Sequence, residues 1–229
     1  MRSRRCAIGV LALLAALSLP WGCSVTTAVL PQTSIEVSRV LVLPFVNVAA
    51  IYGDATHASC PVTGKVFLTG PVSDQAAALM TDALAADLGN RRGVDIFLPG
   101  QGVGVMSEIL RSGGDGISER ELWVEAGRAL QADAVLVGHI YRFKPRHGSD
   151  YSAESPASVA FDLHLLAATD GRVLWSRSVD ETQQSLSENL LSLGAFFQRR
   201  GRWVTADELA MVGLGRILSA LPVGKHLDK

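Results

Sequence analysis

Past residue 38, short solid apolar runs alternate with longer stretches whose apolar positions recur every three to four residues. That alternation predicts strands interleaved with amphipathic helices. Arg39–Asn47 (RVLVLPFVN) reads as a strand buried on both faces, with Pro44 placing a bulge or strand end inside it. Residues 48–72 form a long connection punctuated by Gly53, Pro61, Gly64, Gly70 and Pro71, with Val66-Phe67-Leu68 as a candidate short edge strand. Connections of that length are usually functional or mobile. Ser73 is expected to cap a helix ending at Gly89, with Ala76, Leu79, Met80, Ala83, Leu84 and Leu88 on one face. Val94–Leu98 is a second short strand.

Three later segments carry Ser/Thr-x-x-Glu ahead of apolar periodicity, the pattern in which side chain and backbone cap each other at a helix start. Ser118–Glu121 opens a helix with Leu122, Ala126, Ala129 and Leu130 inward. Ser185–Glu188 opens another, with Leu186, Leu190, Leu193 and Phe197 on a stripe. Thr205–Glu208 opens the last, with Leu209, Val212, Ile217 and Leu221 inward before Pro222 stops it. Between them lie the strands Asp133–Phe143, Ser158–Ala168 and Val173–Gln183, the last two joined by Thr169-Asp170-Gly171-Arg172, a hairpin signal. On Ser158–Ala168, Val159, Phe161, Leu163 and Leu165 share one face and Asp162 and His164 the other, so that second face is expected to be partly wet or capped by polar contacts.

The order β-α-β-α-β-β-β-α-α predicts an α/β fold with α+β character. Early strands separated by helices should pair in parallel through right-handed crossovers, and the last three should form an antiparallel meander. The expectation is one domain over 39–222, a mixed sheet of four to five strands with helices packed against it, and a tail over 223–229.

The amino terminus changes the picture. Arg2, Arg4 and Arg5 precede an apolar stretch, Cys6–Leu19, followed by Pro20-Trp21-Gly22-Cys23. Fourteen helical residues span about 21 Å, short of the roughly 30 Å of a bilayer core, so residues 1–22 read as a secretory signal. The cysteine after a small residue resembles a bacterial lipobox, which implies acylation of Cys23. Pro20 and Trp21 depart from the usual residues there, and an ordinary signal with an incidental cysteine is the alternative. Ser24 after the cysteine implies transfer to the outer membrane, where acyl chains at about 0.8 kcal/mol per buried CH₂ would anchor the protein. Residues 23–38 then form a lipidated tether.

Composition adds little beyond exclusions. The 229 residues carry 21 Lys+Arg against 22 Asp+Glu, a net charge of −1, which rules out a polybasic nucleic-acid binder and an acidic disordered chain. No later window holds 18 consecutive apolar residues. With Cys6 removed and Cys23 acylated, Cys60 has no partner for an intrachain disulfide.

The words VLVLPF, ADAVLVGHI and ATDGRVLWS, in this order of elements, resemble a group of bacterial envelope domains. These are the curli-secretion lipoprotein, the lipoprotein activator of penicillin-binding proteins and the amino-terminal domain of the Tol-Pal translocation protein. The resemblance covers residues 39–183 and implies a domain that binds proteins and does no chemistry, without cofactor. The barrel-forming hairpins of the curli channel have no clear counterpart here.

Candidate chemistry is thin. Gly100-Gln101-Gly102-Val103-Gly104 lacks the dinucleotide-binding spacing and reads as a glycine-rich turn. Asp54, His57 and Cys60 recur every three residues and make a weak metal candidate without a fourth ligand. Asp162, His164 and Ser176 could be drawn as a triad, but no G-x-S-x-G elbow or H-E-x-x-H accompanies them, and polar alternation on a solvated sheet face explains them. His139 reads as a satisfied core or edge histidine. Phe196, Arg199, Arg200, Arg202 and Trp203 combine a helix end with an aromatic–arginine composition typical of protein interfaces.

The sequence thus predicts a non-catalytic outer-membrane lipoprotein facing the periplasm. It should be membrane-bound through its lipid and bind an envelope protein, not nucleic acid, through residues 48–72, the Asp162/His164 face and the Phe196–Trp203 segment. A ring-forming homo-oligomeric export component is the runner-up, and an envelope hydrolase or metal enzyme the third reading.

Overall fold

Arg39 to Val42 (β1) lies between two parallel neighbours, Asp95–Phe97 (β6) and Ala134–Lys144 (β7). The computed structural model describes residues 37–113, 116–148, 153–183 and 204–226. The signal, the tether with Cys23, the Ser185–Glu188 helix and the Phe196, Arg199, Arg200, Arg202 and Trp203 patch lie outside those residues. Among the described residues no helix is long and apolar enough to cross a membrane.

In chain order, β1 is followed by Val46–Asn47 (β2), a short helix Ala49–Tyr52 (α1), His57–Ser59 (β3), Val66–Leu68 (β4) and the helix Ala76–Gly89 (α2). Arg91–Arg92 (β5), β6, Pro99–Arg111 (α3), Glu119–Ala129 (α4) and β7 come next. His147–Gly148 (β8), Ala153–Ser155 (β9), Ser158–Ala167 (β10), Val173–Thr182 (β11), Ala206–Leu218 (α5) and Lys225–His226 (β12) complete the series. The main sheet runs β11-β10-β7-β1-β6. Its β1, β6 and β7 are parallel, while β7-β10-β11 is the expected antiparallel meander.

Pro44 interrupts the first strand as the sequence predicts. Beyond it β2 resumes along β7, with Val46 opposite His139. The Phe45 N–H, freed by the break, donates to Thr81 Oγ1 at 2.9 Å. The Phe45 ring lies against Gly138, where any Cβ would fall 2.3 Å from a ring carbon.

Two helices pack on each face. On one, Met80, Leu84 and Leu88 of α2 and Leu209, Leu214 and Ile217 of α5 pack on Val40, Leu136, Phe161 and Leu163. Arg91 locks the two helix ends together: its guanidinium bonds Asp87 and donates to the carbonyls of Leu218, Leu221 and Val223. On the other face, α3 and α4 cover Leu41, Leu43, Val135, Val137 and Leu166.

Both capping boxes that fall within the described residues form, at Ser118/Glu121 and Thr205/Glu208. Four expectations are corrected. The α2 helix ends at Gly89 as predicted but begins at Ala76, and the Ser73 side chain does not cap it. The Gly100–Gly104 run is no turn: it lies inside α3, where Gly102 sits so close to the sheet that a Cβ would meet Leu43 Cδ2 at 2.6 Å. The inward face of α4 is Trp123, Val124, Ala126 and Gly127, rotated from the predicted stripe because Gly127 approaches Val135 and Ala168 directly. On α5, Val212 points outward.

The segment 48–72 departs most from expectation. It is ordered, and β3 and β4 pair as a separate hairpin laid over the sheet face beyond α4, with Ala58, Cys60 and Phe67 turned inward. Its return strand is stitched to β7 by Gly70 N–H to Tyr141 O and Phe143 N–H to Pro71 O. With that cover added to the helices, all ten residues of β10 are buried, so the face carrying Asp162 and His164 is dry and, of the two forms the alternation allowed, is the one capped by polar contacts.

Candidate functional site: a closed cysteine–histidine–aspartate cluster

Four potential metal-ligating side chains converge where the covers of this face meet, between α4 and the β3–β4 hairpin. They are Cys60, His139, Asp162 and His164, each no more than 2 % exposed. Strand pairing builds most of the cluster. His139 on β7 lies directly opposite Asp162 on β10, and His164, two residues on, lies opposite Ser176 on β11. A register shift where Ala160 faces Arg142 and Phe161 faces Ile140 leaves Tyr141 as the extra residue and brings its ring over the same face. Cys60 comes down from the hairpin.

Asp162 is the hub. Its Oδ1 receives His139 Nδ1 at 2.8 Å and stands 3.1 Å from His164 Nε2. Its Oδ2 accepts the Tyr141 hydroxyl at 2.8 Å. Cys60 Sγ lies 3.3 Å from His164 Nε2, and His164 Nδ1 lies 2.9 Å from Ser176 Oγ. The sulfur also accepts the backbone N–H groups of Val62 and Thr63, both at 3.3 Å. The Tyr141 ring stacks on Phe67 at 4.1 Å, and the Trp123 indole lies 5.8 Å from the His139 imidazole. His139 Nε2 is buried with no hydrogen-bond partner.

The electrostatics follow from that geometry. Burial would raise the Asp162 carboxyl, but hydrogen bonds and positive charge from the two histidines outweigh it and hold the group well below the usual carboxylate range. Burial would lower His164, yet its bonds to Asp162 and Cys60 push it up to about 9. For Cys60, burial is outweighed by the contacts to His164 and Thr63, so the thiol is more acidic than usual. Burial and the neighbouring Asp162 charge push the Tyr141 phenol up, leaving it a firm donor.

This arrangement redistributes the residues singled out in the sequence. Asp54 and His57 are exposed and do not join Cys60; the side chains around Cys60 come instead from the sheet, some hundred residues away. Asp162 and His164 are buried and form no surface for a partner. Ser176, His164 and Asp162 do form a hydrogen-bonded chain, but His164 is shared with Cys60 and closed over by the hairpin. His139 lies in the core, as expected, but its Nε2 is unsatisfied, and Tyr141, which the sequence pattern does not single out, donates to Asp162. The signal for both lay in the words VGHIY and FDLHL: polar residues at alternate positions of two strands that must pair face each other.

No protein-family model matches the chain, and no curated protein matches it. Solved structures do. The chain is similar to the PelC dodecamer from Paraburkholderia phytofirmans at 16 % identity, with 82 % of this chain and 89 % of that one covered and a TM-score of 0.40. It is similar to lipoprotein GNA1162 from Neisseria meningitidis at 17 % identity, covering 71 % and 96 %, with a TM-score of 0.39. A third is the LpoB C-terminal domain from Salmonella enterica, at 16 % identity, 65 % and 84 % coverage and a TM-score of 0.35.

Proposed function

We propose that this chain is a non-catalytic, lipid-anchored adaptor of the bacterial envelope. It is acylated at Cys23, held at the periplasmic face of the outer membrane, and binds another envelope protein through the outer surface of residues 48–72. One observation carries the reading. That segment is folded down on the sheet by Val48, Ala58 and Phe67, yet it exposes four large apolar side chains: Ile51 and Tyr52 on α1, at 67 % and 61 %, and Val66 and Leu68 on β4, at 54 % and 46 %. Large apolar residues held out by an ordered element are the raw material of a recognition surface. The absence of catalysis is supported by the closure of the polar cluster, in which both His164 nitrogens are engaged at 1 % exposure. A lipid tether would raise the effective concentration of this surface for any partner in the same membrane.

The test is photocrosslinking in intact cells from a reactive residue at position 51 or 52, paired with mass determination of the mature amino terminus. The reading expects an acylated Cys23 and one discrete heterologous adduct that Val66→Ser with Leu68→Ser abolishes. An unmodified terminus, or adducts unaffected by those substitutions, overturns it; an adduct of two copies of this chain replaces the foreign partner with self-assembly.

A further inference from the structure

We propose that Cys60, His139, Asp162 and His164 form a structural site for one divalent transition-metal ion, Zn²⁺ by the chemistry of its donors, which clamps the β3–β4 hairpin to the sheet. One thiol, two imidazoles and one carboxylate are the donor types zinc takes, and four protein donors without an open position make a closed, structural site.

The geometry fits the ion. Donors bound at about 2.0–2.3 Å stand about 3.3–3.6 Å apart at the corners of a tetrahedron. The observed separations are 3.3 Å from Cys60 Sγ to His164 Nε2, 3.1 Å from His164 Nε2 to Asp162 Oδ1 and 2.8 Å from Asp162 Oδ1 to His139 Nδ1. One donor atom from each residue lies within 4.8 Å of all the others. Side-chain shifts of an ångström or less bring four such atoms around one centre. The charges also close: a thiolate and a carboxylate neutralise a dication, so the buried site carries no net charge. Coordination needs the sulfur without its proton and a lone pair on each imidazole, so binding expels protons to solvent.

The surroundings are those of a ligand set. Backbone N–H groups of Val62 and Thr63 point at the Cys60 sulfur, where they stabilise negative charge on it. The remote nitrogen of His164 is held by Ser176 Oγ, and the second oxygen of Asp162 by the Tyr141 hydroxyl, which fixes the orientation of both groups. His139 presents Nδ1 to the donor set, so its Nε2, buried without a partner in the protein, is the remote nitrogen of that ligand.

The experiment uses the full chain in detergent, stripped with a chelator and titrated with Co²⁺ alone. The expected result is saturation at one ion per chain, with the strong visible absorption of tetrahedral cobalt and a near-ultraviolet thiolate-to-cobalt band. Zn²⁺ should then displace the colour and raise the thermal midpoint. Cys60→Ser should remove the thiolate band, and His164→Gln should weaken binding by at least about 100-fold, the upper end of what loss of a supporting contact causes. Asp54→Ala with His57→Ala should leave both signals unchanged. Weak octahedral absorption without a thiolate band in the unsubstituted protein, or an unaltered band in Cys60→Ser, overturns the proposal. The unsubstituted titration decides even where a variant fails to fold.

Discussion

The Asp133 carboxylate accepts the backbone N–H groups of Ser38 and Arg39 at 3.1 and 2.8 Å and the Ser38 hydroxyl at 3.0 Å, tying the entry of β1 to the entry of β7. Partial burial would raise its pKa, but those donors outweigh it and the group is held below the usual carboxylate range. A carboxyl whose folded pKa is depressed adds stability that is present above its unfolded pKa and lost as pH falls through the folded one. The side chain is 29 % exposed, so solvent screens it and the increment is about 1 kcal/mol. Asp133→Asn should therefore lower the urea midpoint at neutral pH. The gap to the parent should close as pH drops from about 5 to 3, near and below the unfolded carboxyl value of about 3.9. Parallel stability curves over that range would show that Asp133 carries no such linkage.

Among the elements, α3 separates what was legible in the sequence from what was not. Strands such as β1 and β7 announce themselves because burial on two faces forces solid apolar runs, and α4 and α5 because a Ser or Thr with Glu three residues on has one local use. The α3 helix hides behind Gly100, Gly102 and Gly104, residues that weaken a helix by about 1 kcal/mol each and read as a turn. These glycines differ physically. Gly104 has nothing within 4 Å of an added Cβ, whereas Gly102 has Leu43 and Leu41 carbons at 2.6 and 2.9 Å. Gly104→Ala should raise stability by about 0.5–1 kcal/mol, since helix entropy improves without a clash. Gly102→Ala gains the same propensity but pushes α3 off the sheet, an overpacking cost of about 1–3 kcal/mol, and should be destabilising on balance. Denaturant unfolding of the two variants should give shifts of opposite sign. The cluster was illegible for another reason. His139 and Asp162 pair across strands, but Cys60 reaches them from a segment whose only strand signal was three residues long, and no local pattern predicts where such a hairpin lands.

At the scale of the whole molecule, the two faces of the sheet are closed by different means. One is sealed by long helices and a continuous apolar layer. The other is sealed partly by α3 and α4 and partly by a hairpin of two three-residue strands, anchored by Phe67 on Tyr141, by Cys60 in the polar cluster and by Lys65 Nζ donating to Ser178 Oγ at 2.6 Å. An isolated hairpin of that size does not hold its own shape in water, so its order derives from these anchors and it should open below the global unfolding free energy. Phe67→Ala removes the stacked ring and leaves the sheet's own ladder intact, at a local cost of about 3–5 kcal/mol for a buried aromatic. In chelator-treated protein, amide exchange in residues 57–68 should accelerate and Cys60 should become reactive to a thiol reagent. Amides of β7 and β10, held by pairing on both sides, should keep their protection. If Cys60 is modified only at the rate at which those central strands exchange, the hairpin and sheet unfold as one unit, and the second face is as firmly closed as the first.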